Sequence, residues 1–185
     1  MKAWGMFLCA VCVPACAHAA VKENLRYSYY DVNAGRGNLY EQILAAVPAR
    51  PGGGALVGNT VWEIGWEPVM EQTDSQCQFT GINIDLDIDI SLPRLVRSSV
   101  KQRRAFDRFI TALREHELGH AKIATTTAQQ LEREVMAIPP GPDCASIEAK
   151  ADAAWDALWQ RATDGEKEYD RITEHGKTQG AWLTE

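Results

Sequence analysis

Hydrophobic and polar positions alternate most strictly between residues 79 and 92, where Ile82, Ile84, Leu86, Ile88 and Ile90 interleave with Asn83, Asp85, Asp87 and Asp89. A period of two sends the two sets to opposite faces, so the pattern predicts a strand with one buried and one wet face, ended by Pro93. Two strand-like runs precede it: residues 25–33, rich in aromatic and β-branched types, and residues 60–72, where Gly65 and Pro68 predict a bend or bulge. Between these runs, residues 38–47 have helical spacing through Leu39, Ile43, Leu44 and Val47 and stop before Pro48, and residues 50–54 read as a Pro/Gly loop. Beyond Pro93 the period changes. Ser99 with Gln102 has the form of a capping box and opens a long helix predicted to reach about residue 137, where the run Pro139-Pro140-Gly141-Pro142 stops the chain. A last helix is predicted from near Asp143 to about Thr173, with an apolar stripe through Ala151, Ala154, Trp155, Leu158, Trp159 and Ala162 and with Gly176 placed like a C′ glycine. Strands first and two long helices after them predict an α+β domain.

The beginning of the chain does not fit this order. Lys2, an apolar run over residues 6–15 and Ala17-His18-Ala19 have the layout of a secretory leader cleaved after Ala19, which leaves residues 20–185 as a single domain, exported to the periplasm or the exterior. Val13-Pro14-Ala15-Cys16 has the outline of a lipoprotein signal, but its proline fits poorly. No later segment is long and apolar enough for a membrane span. Nineteen Lys and Arg against 25 Asp and Glu leave no basic footprint, which argues against nucleic acid as a partner. Three of the five cysteines, Cys9, Cys12 and Cys16, fall within the leader, and in an exported chain the remaining pair, Cys77 and Cys144, reads as one disulfide. Asp85, Asp87 and Asp89 lack the glycine and terminal glutamate of a calcium loop, so they read as a solvated strand face.

Candidate chemistry is concentrated at His116-Glu117-Leu118-Gly119-His120. Residues four apart share a helix face, so His116 and His120 can offer nitrogens to one zinc ion, and Glu117 can reach a water activated there and act as general base. The helical pattern through Phe106, Phe109, Ile110, Leu113, His116, Glu117, His120, Ile123 and Ala124 puts this chemistry on the core-facing side. A third protein ligand is needed. With His18 in the leader, His175 is the one other imidazole, lying in Tyr169-Asp170-Arg171-Ile172-Thr173-Glu174-His175-Gly176, and the residues after His120 do not continue into the longer three-histidine motif of metzincins. Asp170 and Glu166 on the last helix compete with His175 for the third position, and either His175 or Asp170 would orient a ligand histidine if it is not a ligand itself. Tyr169 is a candidate donor to a developing oxyanion, or else a packed aromatic on the helix stripe.

His-Glu-Leu-Gly-His at 116–120, with Tyr-Asp-x-x-Thr-x-His-Gly at 169–176 and Thr178-Gln179-Gly180-Ala181 after it, resembles the bacterial "domain of unknown function 922" family, described as predicted secreted zinc-dependent proteases. The resemblance covers nearly all of the chain after the leader. It implies a zincin-like fold and marks Tyr169, Asp170, Thr173 and His175 as a unit near the site. In zincin-like folds an edge strand flanks the active-site helix, and if residues 79–92 are that strand, a polypeptide substrate would pair with it and the aspartates would favour basic side chains. The function expected is a zinc-dependent metallopeptidase. The alternatives are a non-proteolytic zinc amidase of the cell envelope and a catalytically silent binding module of the same fold.

Overall fold

The computed structural model describes residues 20–35, 37–49 and 56–183; the expected leader and the loop at 50–54 lie outside the described residues. Strands β1 (Ala20–Asn33), β2 (Asn59–Gln72) and β3 (Cys77–Arg97) form one sheet in the order β1-β3-β2, with β3 antiparallel to β2 and parallel to β1. Helix α1 (Leu39–Ala46) follows β1, and the long helices α2 (Val100–Met136) and α3 (Cys144–Thr173) follow the sheet. The domain is α+β, as its patterning predicts, and none of its described helices is long and apolar enough to cross a membrane.

Why β3 organises the domain follows from its alternation. Ile82, Ile84, Leu86, Ile88 and Ile90 are all buried, and the helices pack on the face they form, α2 in contact with β3 and α3 in contact with α2. The capping box predicted at Ser99 is present, with Gln102 N–H donating to the Ser99 hydroxyl and Ser99 N–H donating to the Gln102 side chain. Asp143 caps α3 in the same way, accepting from Ser146 N–H at 2.7 Å. The bulge expected between residues 60 and 72 appears as a register shift between Val69 and Met70.

Two expectations about β3 are corrected. It is the central strand and not an edge, because β1 and β2 pair with both of its sides from Asn83 to Ser91, the stretch that carries the aspartates. The aspartates on its outer face are neutralised from within the sheet: Lys22 donates to Asp85 at 3.2 Å, and Arg26 to Asp87 and Asp89 at 2.9 Å each. These pairs are exposed, so they organise the face more than they stabilise it. Nor does Pro93 end the strand, which runs on to Arg97. Pairing with β2 stops opposite Ser91, so among the described residues Pro93 sits where β3 has β1 alone as a neighbour and a residue without an N–H is tolerated.

Cys77 and Cys144 form the expected disulfide, joining the first residue of β3 to the first residue of α3 across 67 positions of sequence. Cys77 and Gly141 also exchange two backbone hydrogen bonds there, at 2.8 and 2.9 Å. Closing a loop of that size removes unfolded-state entropy equivalent to about 4 kcal/mol. Cys77→Ser/Cys144→Ser is therefore expected to lose about 2–4 kcal/mol of unfolding free energy in urea titration.

Candidate metal centre

His116, Glu117 and His120 lie in the middle of α2 on its core-facing side, and all three are buried. Asp170, in the last turn of α3, meets them. Asp170 Oδ1 lies 3.3 Å from His116 Nε2 and 3.1 Å from His120 Nε2, and the two Nε2 atoms are 3.3 Å apart. His116, His120 and Asp170 are the described group of three with metal-ligating atoms in mutual reach. Ligand atoms around a tetrahedral zinc, about 2.0–2.1 Å from the ion, lie about 3.3–3.4 Å from one another. The chemistry of the donors fits equally well. Each imidazole uses Nδ1 to donate, as described below, which leaves a lone pair on each Nε2. With both imidazoles neutral in that tautomer, three acceptors face one point, an arrangement that a cation stabilises.

Each histidine has its own orienting partner. His116 Nδ1 donates to Gln179 Oε1 at 3.0 Å, while Gln179 Nε2 donates to the Tyr169 hydroxyl at 3.1 Å, and that hydroxyl donates to the His116 backbone carbonyl at 3.1 Å. The loop of bonds closes on His116 itself. The Tyr169 ring stacks on the His116 ring at 5.1 Å with the planes 11° apart. Gly119 makes this approach possible, since a Cβ at that position would collide with the Tyr169 hydroxyl. Thr173 is buried against the same imidazole, its hydroxyl 3.5 Å from Nδ1. His120 Nδ1 instead donates in a short contact to Glu166, whose other oxygen accepts from Trp62 Nε1 of β2 at 3.0 Å.

This asymmetry sets the basicity of the pair. Burial pushes the His116 imidazole below its ordinary range, offset only in part by neutral Gln179. Burial acts on His120 in the same direction, but the Glu166 carboxylate, with Asp170 and Glu117 near it, outweighs burial and raises His120. Burial, with Glu117 and Asp170 near it, raises the Tyr169 phenol, which therefore stays protonated.

The Glu117 carboxylate faces β2, where its Oε2 accepts from the Thr60 hydroxyl at 2.7 Å. Gly58 leaves room for this carboxylate, since a Cβ there would strike Oε1. Glu117, His116, His120 and Asp170 all line one hollow of about 430 Å³.

The structure brings together His116, Glu117, His120 and Asp170, and it separates two residues from the roles expected of them. His175 stays outside the ligand cluster. Helix α3 persists through Thr173, and Glu174 and His175 then take left-handed backbone angles (φ 48 and 52), so the imidazole lies at the rim, 72 % exposed, with Nδ1 3.4 Å from Asp170 Oδ2. It flanks the Asp170 carboxylate and touches neither histidine, so it takes neither of the two roles expected of it. Tyr169 turns its hydroxyl to the backbone of α2 and lines a different hollow, beside Gly119 and Arg161, so its place is behind His116. Glu166 orients His120 and is not in the cluster. Gln179, Thr60 and Trp62 carry no spacing signal in the sequence; Gln179 alone was visible, as a letter of the Thr178-Gln179-Gly180-Ala181 run.

The family model described as "Bacterial protein of unknown function (DUF922)" matches residues 27–176, and the chain belongs to that family, as the two motifs imply. No curated protein and no solved structure matches it.

If Gln179 fixes the His116 proton on Nδ1, Gln179→Met, which keeps the length but accepts nothing, is expected to weaken zinc binding about 10–100-fold in a chelator competition titration. Gln179→Glu keeps an acceptor at that point and is expected to lose less. Equal losses in the two variants would show that the side chain matters only for packing.

Proposed function

We propose that this member of the family is a zinc-dependent hydrolase of peptide bonds, working outside the cytoplasm. The observation that carries the reading is the meeting of two imidazole nitrogens and a carboxylate oxygen beside a buried glutamate, at the wall of an open hollow. Structural zinc sites are closed by four protein ligands, whereas catalytic sites keep three and leave a position for substrate or water. In this reading the fold is a zincin variant whose third ligand, Asp170, comes from the helix after the motif. The disulfide and the leader-like first residues both suit an oxidising compartment.

Zinc at this site would supply Lewis acidity, polarising the scissile carbonyl and acidifying water. The remaining work falls to the chain's own groups. Glu117 accepts a proton from the attacking water at its carboxylate and returns it to the leaving nitrogen. Thr60 holds that carboxylate in place by donating to Oε2. Gln179 and Glu166 keep Nε2 of both histidines bare and aimed inward, and His175 flanks the outer oxygen of Asp170.

Elemental analysis of the purified wild type is expected to find about one zinc per chain. His116→Ala, His120→Ala and Asp170→Ala should lose it, and His175→Ala should retain it. Glu117→Gln should keep zinc and the fold while lowering peptide cleavage about 10²–10⁴-fold. A folded wild type that binds no zinc when zinc is supplied would end the enzyme reading. Zinc without cleavage of any peptide, together with release of amide-linked cell-wall material, would move the substrate to the amidase class.

A further inference from the structure

The hollow at the metal centre has two unlike walls. Glu166 and Asp170, one helical turn apart on α3, and Glu174 just past its end line it with carboxylates. Two of them are committed, Glu166 to His120 and Trp62, and Asp170 to the ligand cluster, while Glu174 holds Lys177 at 3.5 Å. Along α2, Glu117, Leu113 and Phe109 follow at the same spacing in the direction of the helix N-terminus. The floor therefore changes within one turn from the general base to hydrocarbon. Val57 and Ala181 continue that apolar floor.

Above this floor, three bulky apolar side chains from three separate segments stand exposed: Tyr40 of α1 at 37 %, Leu56 ahead of β2 at 47 % and Trp182 after α3 at 51 %. Tyr40 and Trp182 contact each other, with ring centroids 6.1 Å apart, and the Lys177 ammonium covers the Trp182 ring at 4.8 Å. Single exposed apolar residues are ordinary on a surface, but a convergence on the mouth of a polar site marks a contact surface. A hollow of about 430 Å³ has room for one large side chain with its flanking backbone.

Resting on the peptidase reading above, we propose that this apolar arm is the specificity pocket of the site and takes a large uncharged side chain, aliphatic or aromatic, from the residue that flanks the cleaved bond. Tyr40 and Trp182 form its outer lip, and Leu113 and Phe109 its base. An acidic side chain placed there would lose its hydration without gaining a free partner among the described residues, because Lys177, the one lysine or arginine of those that line the hollow, is held by Glu174 and the Trp182 face.

The test uses the full chain loaded with zinc and small hydroxamates, which bind an open zinc directly, with affinity measured by calorimetry. Acetohydroxamate reports the metal position alone. The acetylated hydroxamates of glycine, leucine, phenylalanine and aspartate then differ only in the side chain offered to the pocket. Leucine and phenylalanine are expected to bind roughly tenfold or more tightly than glycine, and aspartate no better than glycine. Tyr40→Ala and Trp182→Ala should each retain zinc and acetohydroxamate binding while shrinking the leucine-to-glycine ratio. Equal affinities across the series, or a ratio untouched by both variants, would overturn the pocket and leave the metal reading standing. A wild type that binds zinc but no hydroxamate would overturn both, since no open position would then exist.

Discussion

Two imidazole nitrogens and a carboxylate oxygen, each presenting a lone pair, meet within 3.1–3.3 Å in a largely buried place. Without a cation or a proton between them, such acceptors repel one another, and a buried one left unsatisfied costs about 1–3 kcal/mol. The surroundings hold this unfavourable meeting in place. Gln179 and Glu166 each bind the proton of one imidazole on its far nitrogen, which prevents either ring from turning a proton inward. Trp62 reaches from the sheet to hold Glu166, and Tyr169 lies flat on His116 with its hydroxyl bonded to that residue's own carbonyl. Strand β2, helix α3 and the C-terminal turn thus all support histidines that α2 carries. The domain is organised around a point that none of its elements could form alone.

The family motifs acquire physical meaning in this setting. The glycine of His-Glu-Leu-Gly-His is there because the Tyr169 hydroxyl needs the space its side chain would fill. The tyrosine, aspartate, threonine and histidine of the second motif answer one demand: a ring behind His116, a carboxylate oxygen at the two Nε2 atoms, a hydroxyl against Nδ1, and an imidazole beside the other oxygen of that carboxylate. The opposite shifts of the two histidines follow from the unlike partners, an amide on one and a carboxylate on the other.

Much of this was legible in the residues before the fold was described, because the relevant signals are local. Helix limits at Ser99 and Asp143 are written in capping chemistry, the motif spacing fixes one helix face, and two cysteines leave one pairing. What could not be read depends on neighbours. Alternation through Ile82 to Ile90 states which side of a strand is buried but not how many strands flank it, so the centre of the sheet looked like a possible edge. Pro93 ends a strand only where its missing N–H is needed, and that depends on where β2 stops. The choice between Asp170 and His175 turned on a few backbone angles: α3 runs to Thr173, and two left-handed residues then carry His175 to the rim. Gln179 and Thr60 are single polar side chains, and no spacing rule selects one.

The disulfide has a consequence beyond stability. Glu166 and Asp170 stand one turn apart on α3, so a slip of that helix along α2 by a single turn would present a different carboxylate to the two histidines. Side-chain packing alone tolerates such ratchets, because the ridges of a helix repeat. Cys144, at the far end of α3, is bonded covalently to the start of β3, and a helix of 30 residues is stiff enough to carry that anchor along its length. The crosslink thus acts as the zero mark of a vernier: fixed at one end of the rod, it determines which graduation comes to rest against the metal ligands at the other.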